Sequence, residues 1–426
     1  MVMKDGSHPL RSPGDTIQRL AVIDPIGNVG GGSRFAGSLL PALARCRPGL
    51  QVAFFGRESS MQRDALDQSL PAAGVDVVGL EWVADRAWDS RPIGTRLRYR
   101  ARRAVGRASA DLTNFVNNRL KRELQAIGER FDLVYVPWPY RIPIPAMSCP
   151  MVSTIHDLNF KYFFGSQIFA PAVSRSLDQQ LDSWLSVSTV VTSSDFMAAE
   201  IARFYPGKPA ASVVRLAPFA GSEMVRDEAA LSRLGLDPGQ PYILCANNIT
   251  AHKNIGAVIA ALPILRETHG DLRLVVAGAG TEQATGTATP IGTIRSDGAG
   301  DVVGLGYVSN EAIDQLIVGA AVAVNASFYE GGNGSGLDAW RLGTPVAMSD
   351  IPPFREHMDA LGVEAALFDP RSPVDIAAKL ADIIDRPAWW ADSVERSRSA
   401  ISGTTWDGVA AAYLEVFDTA FRAARG

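Results

Sequence analysis

The stretch that decides the fold reads Asn325-Ala-Ser-Phe-Tyr-Glu330-Gly-Gly-Asn-Gly-Ser-Gly-Leu-Asp338-Ala-Trp-Arg-Leu-Gly343-Thr-Pro345-Val-Ala-Met-Ser-Asp350. The apolar run just before it, residues 320–324, predicts a buried parallel strand, and residues 344–348 predict the next strand. Between them lie a glycine-dense loop at 331–336 and a short helix at 338–342, which Gly343 is placed to cap. The order of strand, loop, helix and strand is typical of a parallel α/β sheet.

The glycine-dense loop has the features of an anion-binding site. Because it follows a strand and precedes a helix, its free backbone N–H groups lie where open α/β sheets bind anionic ligands. Two acids, Glu330 and Asp338, flank the loop eight positions apart. We expect both carboxylates to line this site, with Asp338 opening the helix.

The alternation of strands and helices continues in two runs along the chain. The first run extends from a strand at residues 20–25 to one at 212–216. The second begins with a strand at 242–246, and a last helix is predicted at 406–422. Between the runs, the charged residues 223–240 lead into Leu-Asp-Pro-Gly-Gln-Pro, which is typical of a linker. The sequence therefore predicts two parallel α/β units.

Composition argues against several classes of protein. The 426 residues are 47% hydrophobic and 20% charged, as in a soluble globular protein, and the net charge of -4 gives no sign of nucleic-acid binding. The three cysteines are far apart, no Asp-x-Asp occurs, and no His or Cys pair has metal-ligand spacing. No apolar run reaches the length of a membrane span. Residues 1–15 predict a disordered lead-in and not a signal peptide.

Two segments of the first run are candidate ligand sites. A glycine-rich turn at residues 26–33 joins the first strand to a helix at 34–45, and its three consecutive glycines favour close approach of a ligand over a simple tight turn. Farther along, Arg91 to Arg107 holds seven arginines with apolar residues between them. That cluster is either a solvated helix face or a patch for an anionic acceptor or membrane surface.

Two polar residues follow predicted strands, at the edge of a parallel sheet where functional side chains are commonly found. Lys253 lies in the loop between a strand at 242–246 and a helix at 255–265, where phosphate groups bind, although a surface lysine is the alternative. His156 directly follows a strand at 150–155, at the mouth of the sheet, although it could simply bond backbone.

This combination resembles the donor-site signature of the GT4 family of retaining, nucleotide-sugar-dependent glycosyltransferases. The signature includes a Ser, Glu-Gly three positions later, a glycine-containing loop, a second acid eight positions after the first, and a Gly-Thr-Pro-Val strand ending in Ser-Asp. The fitting residues are Ser327, Glu330, Gly331, Asp338, Ala339, Gly343, Thr344, Pro345, Val346, Ser349 and Asp350. The chain departs from the signature at Asp338, where Glu is usual, and in the loop, which is more polar than the usual Gly-Phe-Gly-Leu-Pro. Asn247 and Asn248 also stand where the family usually places an arginine.

The resemblance implies an α/β fold of GT-B type, with two Rossmann-like domains facing each other across a cleft. The expected parts are an acceptor domain at residues 16–222, a donor domain at 240–400 and a C-terminal helix at 404–424 that crosses back to the first domain. Three residues are implied in catalysis: Lys253 at the diphosphate, Glu330 at the sugar and His156 close to it. The implied donor-binding residues include Asp338 for the ribose and Tyr307 and Val308 for the nucleobase; the others are Gly31, Gly32, Asn248, Gly332, Asn333, Gly334, Ser335, Gly336 and Leu337.

The implied reaction is transfer of mannose or another hexose or deoxyhexose from a nucleotide-diphosphate sugar to a glycan or lipid-linked acceptor. The family's common work is cell-surface polysaccharide synthesis, with retained anomeric configuration and without a metal or other cofactor. We expect a cytoplasmic protein, with peripheral membrane contact through Arg91–Arg107 as an open alternative. Two other interpretations stay open: an epimerase or phosphorylase of the same fold, and a degenerate sugar-nucleotide-binding protein.

Overall fold

Two parallel β-sheets organise the chain. The computed structural model describes residues 14–24, 31–63, 65–80, 121–122, 124–140, 142, 147–163, 171–221, 224–283, 288–289, 292–293 and 301–425. The predicted cluster at Arg91–Arg107 lies outside these residues, as do residues 26–30 of the predicted glycine-rich turn.

The first sheet has seven strands in the order β3-β2-β1-β4-β5-β6-β7, and every neighbouring pair is parallel. The strands are β1 Arg19–Asp24, β2 Gln51–Arg57, β3 Asp76–Leu80, β4 Leu133–Val136, β5 Met151–Thr154, β6 Thr189–Thr192 and β7 Ser212–Val213. The helices of this half are α1 Gly31–Cys46, α2 Glu58–Arg63, α3 Leu66–Ala72, α4 Asn159–Tyr162, α5 Pro171–Val187 and α6 Asp195–Phe204.

The second sheet has six parallel strands in the order β12-β9-β8-β13-β14-β15. Its strands are β8 Tyr242–Cys245, β9 Arg273–Val276, β12 Val302–Gly304, β13 Val322–Asn325, β14 Val346–Ser349 and β15 Ala366–Phe368; β10 Ala288–Thr289 and β11 Gly292–Thr293 form a separate hairpin. Its helices are α7 Glu228–Arg233, α8 Ile255–Arg266, α9 Asn310–Gly319, α10 Gly334–Leu342, α11 Pro352–Leu361, α12 Pro373–Asp385 and α13 Pro387–Ala400.

The last helix, α14 Trp406–Ala423, packs back on the first half of the chain. Its apolar face, including Tyr413 and Phe417, joins the buried cluster of α1 and the first sheet. The Tyr413 hydroxyl lies 3.0 Å from the Thr154 hydroxyl, and Arg47 donates to Asp418 at 2.5 Å. Two parallel sheets and a helix that returns to the first half confirm the predicted GT-B architecture.

Helix α10 begins four residues earlier than the sequence predicts, so Asp338 does not open it. The Asn333 side chain accepts a hydrogen bond from the Gly336 amide and caps the helix there. Three residues assigned to the loop, Gly334, Ser335 and Gly336, therefore form its first turn. The predicted end at Gly343 is confirmed, since this residue takes the left-handed conformation with φ 84°.

Several helices have no counterpart among the elements predicted from the sequence. The longest are α5, α11 and α13, and each begins at a proline, which is tolerated in the first helical turn because its missing N–H would be unpaired there anyway. Within the predicted linker, α7 is ordered and buries Leu231 in the core of the second half.

The two halves meet along the carboxyl ends of the strands. The Gly331 carbonyl accepts hydrogen bonds from the Ser193 hydroxyl at 2.8 Å and the Ser194 hydroxyl at 2.9 Å. A side chain at Gly331 would collide with the His156 carbonyl, so glycine is required for this close approach. The glycine-dense loop is therefore a contact between the halves as well as a cleft wall.

Candidate functional site

A cavity of about 280 Å³ lies between the two halves. The second half contributes most of its lining, and the first half contributes Gly31, Arg34 and Phe219. Of the residues implied by the family resemblance, those that line this cavity are Gly31, Asn248, Lys253, Tyr307, Val308, Glu330, Gly332, Asn333, Gly334, Ser335 and Asp338. One cavity therefore collects most of the residues singled out from the sequence.

The amino terminus of α10 supplies backbone donors to this cavity. The first amides of a helix have no intrahelical acceptor. The Gly336 amide donates to the Asn333 side chain, and the Leu337 amide donates to the Asn333 carbonyl at 3.0 Å. Among the described residues, the amides of Gly334 and Ser335 have no such acceptor, and both residues line the cavity. The helix end can therefore receive an anionic group.

Lys253 and Glu330 form an ion pair in the cavity wall. The Lys253 ammonium lies 2.5 Å from Glu330 Oε1, and the two side chains are only 17% and 14% exposed. The Ser327 hydroxyl donates to the same carboxylate oxygen at 2.6 Å. Next to Lys253, burial and the lysine charge lower the pKa of His252 to about 4, so His252 adds no positive charge at neutral pH. Lys253 and Glu330 thus place one cation and one carboxylate in direct contact in the cavity wall.

The resemblance implies that Asp338 binds the ribose, but the structure places its carboxylate against groups of the first half of the chain. Its side chain is 1% exposed and lies in the second turn of α10. One oxygen accepts hydrogen bonds from the amides of Phe219 at 2.6 Å and Ala220 at 2.9 Å. The other accepts from Arg34 at 2.7 Å. Because the carboxylate is occupied by groups from the first half of the chain, its role toward ribose stays a prediction.

His156 lies beside the cavity and not in its lining. Its ring stacks on Trp138 with centroids 4.1 Å apart, and Phe35 meets its edge at 5.1 Å. Burial lowers the pKa of His156 to about 3, although a hydrogen bond to the Pro137 backbone opposes the shift. Within the described part of the chain, the buried Nε2 has no hydrogen-bond partner. The imidazole is therefore neutral at physiological pH.

The neutral state of His156 predicts a pH dependence of stability. Since an unfolded histidine has a pKa of about 6.5, the unfolded chain takes up this proton first as the pH falls. The contribution of His156 to stability is complete above that pH and is lost as the pH falls toward the folded value of about 3. We expect His156→Phe to reduce the slope of unfolding free energy against pH by about 1.4 kcal/mol per pH unit, between about pH 4 and 6. Denaturant titrations at several pH values measure this slope, and equal slopes in the two proteins would contradict the assignment.

Three implied donor-binding residues do not line the cavity. Leu337 has a fully buried side chain in the core of the second half, and its amide donates to the Asn333 carbonyl, so its assignment to the donor stays a prediction. Gly336 also gives its amide to Asn333. Gly32 is buried in the first turn of α1, next to Gly31, which does line the cavity.

Arg34 is a cavity residue that the sequence analysis did not single out. It directly follows the glycine-rich turn predicted at residues 26–33 and lies in the first turn of α1, which was a usable signal, because anions bind at helix amino termini and a cation there lies close to them. Its side chain is 14% exposed and donates to Asp338 and, at 3.1 Å, to Asp314. Burial raises the pKa of Asp314 to about 6, against the opposing effect of the Arg34 charge.

Two features are absent from the described residues. They contain no group of three or more His, Cys, Asp or Glu side chains placed to hold a metal ion. Nor does any helix among them have the length and apolar character needed to span a membrane.

Comparison with known proteins connects this site to one family. The family model for glycosyl transferases group 1 matches residues 240–386, which include β8 to α12 and most of the cavity lining. Glycogen synthase from Mycobacterium tuberculosis is 30% identical over 287 residues, covering 65% of this chain and 64% of the relative. The chain thus aligns with less than two thirds of the length of that relative.

Solved structures extend the similarity to the whole fold. Sucrose-phosphate synthase from Thermosynechococcus elongatus superposes with a TM-score of 0.67 at 18% identity, over 95% of this chain and 100% of that one. HepE from Anabaena, solved in complex with UDP and glucose, gives a TM-score of 0.64 at 15% identity, over 94% and 100%. The second half of the chain thus matches the model for a glycosyl transferases group 1 domain, and the solved structures show that the whole chain is similar in fold to GT-B proteins.

Proposed function

We propose that the protein is a GT4-type retaining glycosyltransferase that moves a hexosyl group from a nucleotide-diphosphate sugar to a hydroxyl of a glycan or lipid-linked acceptor. The observation that carries this proposal is the cavity between the halves, where the open amides of α10 lie with the Lys253–Glu330 pair. A diphosphate sugar needs both an anion site and a carboxylate close to the reacting carbon, and this cavity offers both.

The proposed role of Lys253 is to stabilise the departing diphosphate. Breaking the bond to the anomeric carbon moves negative charge onto the diphosphate, and a fixed cation in a half-buried site stabilises that charge. The amides of Gly334 and Ser335 add donors with no cost of reorganisation during the reaction. Glu330 holds Lys253 in place, so the position of the cation is fixed by the protein.

Glu330 is proposed to act at the sugar. Its carboxylate is fixed by Lys253 and the Ser327 hydroxyl, both on one oxygen, which leaves Oε2 for a sugar hydroxyl or for the positive charge of the anomeric carbon. We propose a same-face displacement in which the departing diphosphate accepts the proton of the acceptor hydroxyl. Retention of anomeric configuration follows from attack on the face that the diphosphate leaves.

We place this reaction in the cytoplasm and in the synthesis of a cell-surface polysaccharide, at the membrane where the acceptor is lipid-linked. HepE, of similar fold, was solved with UDP and glucose, which supports a nucleoside diphosphate as the leaving group. The decisive experiment has two stages. A thermal-shift screen with GDP, UDP, ADP and dTDP identifies the base, because a ligand that binds the native state raises Tm. Transfer from the matching sugar donors to saccharide acceptors, resolved by mass spectrometry and NMR, then gives the linkage. Binding without transfer or hydrolysis would favour a sugar-nucleotide-binding protein without activity.

Glu330→Gln tests the role at the sugar. We expect kcat to fall about 10- to 100-fold, as for loss of a charged hydrogen bond, while the Kd of the free nucleoside diphosphate changes little. The reason is that the proposed contact is with a group that only the donor carries. Steady-state kinetics and calorimetry measure the two quantities.

Glu364→Gln is the matched control for this experiment. Glu364 lies in the same half and also accepts from a serine hydroxyl and a cation, Ser393 and Arg396, but it is 43% exposed and does not line the cavity. We expect its kinetics to match the wild type. If Glu330→Gln loses nucleotide affinity and keeps kcat, the assignment to the sugar is wrong.

The proposed site uses protein cations and amides at the diphosphate, so we expect activity to survive EDTA. Transfer rates measured with and without a millimolar excess of chelator should agree within error. Loss of activity in EDTA, with recovery on adding Mg²⁺ or Mn²⁺, would contradict the proposed arrangement, since a divalent ion would then neutralise the diphosphate.

A further inference from the structure

The charges that line the cavity do not balance a diphosphate. Lys253 is paired with Glu330, and the neighbouring positions 247 and 248 hold asparagines. We infer that Arg34, from the first half of the chain, is the second cation of the donor site and donates hydrogen bonds to the diphosphate. This inference rests on the proposed function and deepens it, because it assigns a specificity-determining contact to the half that does not carry the glycosyl transferases group 1 domain.

The hydrogen bonds of Arg34 leave donors free for a ligand. A guanidinium has five N–H donors in a rigid fork. Within the described residues, Nη1 donates to Asp338 at 2.7 Å and Nη2 donates to Asp314 at 3.1 Å, and these are the hydrogen bonds found for the side chain. Three donors are thus open on a side chain that is 14% exposed and lines the cavity. Open donors on a half-buried cation favour an anionic acceptor with several oxygens, such as a diphosphate.

Asp338 acts in this inference as a positioning residue. Its own carboxylate is fixed by the amides of Phe219 and Ala220, so it holds Arg34 in a constant direction. The Phe219 ring lies under the guanidinium, 5.0 Å from its central carbon, and restricts it further. With Asp314 on the other nitrogen, the guanidinium is oriented before the ligand binds, which reduces the ordering cost of binding.

The competing interpretation is that Arg34 only clamps the two halves together. A clamp and a phosphate ligand differ in which part of the nucleotide they affect. Loss of a clamp changes the shape of the whole cavity and weakens every ligand alike. Loss of a diphosphate contact weakens ligands in proportion to their phosphates and spares the nucleoside.

Calorimetry on a graded ligand series separates these interpretations. The series is the nucleoside, its monophosphate and its diphosphate, for the one base among G, U, A and dT whose diphosphate raises the wild-type Tm most. We expect Arg34→Gln to raise the Kd of the diphosphate about 10- to 100-fold, as for loss of a charged hydrogen bond, and that of the nucleoside less than about twofold. Arg34→Lys keeps a cation between the two buried carboxylates, and so stays folded, but lacks the fork; we expect an intermediate loss confined to the diphosphate.

The matched control is Arg45→Gln on the same helix, whose ion pair with Asp407 is exposed on both sides and away from the cavity. We expect wild-type binding of all three ligands. Equal weakening of nucleoside and diphosphate in both Arg34 variants would overturn the inference and show that Arg34 only holds the two halves together. If the wild type binds none of the four diphosphates, the proposed function fails with it. If the wild type binds a diphosphate and both Arg34 variants bind it equally well, the inference alone fails.

Discussion

Replacing Lys253 by alanine is expected to lower kcat/KM by about 100- to 1,000-fold, the loss that follows when one transition-state donor is removed. The Lys253 side chain is 17% exposed and its ammonium lies 2.5 Å from Glu330, so its charge acts in a partly desolvated cavity where electrostatic interactions are strong. The alanine variant leaves the departing diphosphate with backbone donors and no lysine charge. Steady-state kinetics with the donor found in the screen measure the effect, and kcat should carry part of the loss because diphosphate charge increases in the transition state.

Two further variants make this prediction specific. Lys253→Arg keeps the charge on a longer side chain, and we expect it to recover part of the activity. Lys208→Ala removes a lysine that is also paired with a carboxylate, Asp182 at 2.9 Å, but on the first half and outside the cavity lining. We expect that control to behave as the wild type. Near-normal kinetics in Lys253→Ala would place the diphosphate elsewhere.

The local part of the site could be predicted from the sequence because its determinants are close in the chain. Glu330 and the glycines that follow it are contiguous. A glycine at the end of a helix predicts the left-handed conformation that Gly343 adopts. Lys253 was predictable from its place between a strand and a helix. The pairing of Lys253 with Glu330, 77 positions apart, is a consequence of β8 and β13 being neighbours in one sheet, which alternation alone does not fix.

The remainder depends on side-chain contacts that a single sequence does not reveal. Helix α10 begins earlier than the sequence predicts because the Asn333 side chain accepts a hydrogen bond from the Gly336 amide. This earlier start puts Leu337 in the core instead of the cavity. The Arg34–Asp338 pair joins residues 304 positions apart across two domains, so it exists only when both halves are assembled. Sequence reasoning found the Asp338 position but not its partner.

Asp338→Ala should be the most destabilising single substitution at this cleft. The variant leaves the amides of Phe219 and Ala220 without their acceptor and removes one of the two carboxylates that hold Arg34. Breaking a buried ion pair by removal of one partner costs about 3–5 kcal/mol. We expect a loss of that size in the free energy of unfolding, measured by denaturant titration. Asp314→Asn is the matched control, because Asp314 shares the same guanidinium at 3.1 Å but is 11% exposed instead of 1%, and it should cost less.

Asp338→Asn divides this effect into its two causes. The amide oxygen of asparagine can still accept from both backbone amides, while the charge opposite Arg34 is lost. We expect a smaller destabilisation, about 1.5–3 kcal/mol, as for one hydrogen bond to a charged group. Calorimetry with the nucleoside then tests the ribose role directly. Both the nucleoside and the donor contain the ribose, so loss of a ribose contact weakens the binding of both. Unchanged stability in Asp338→Ala together with weakened nucleoside binding would show that the carboxylate leaves Arg34 and holds the ribose. Reduced stability with intact nucleoside binding in Asp338→Asn would show that Asp338 acts through Arg34, as the hydrogen bonds of its carboxylate indicate.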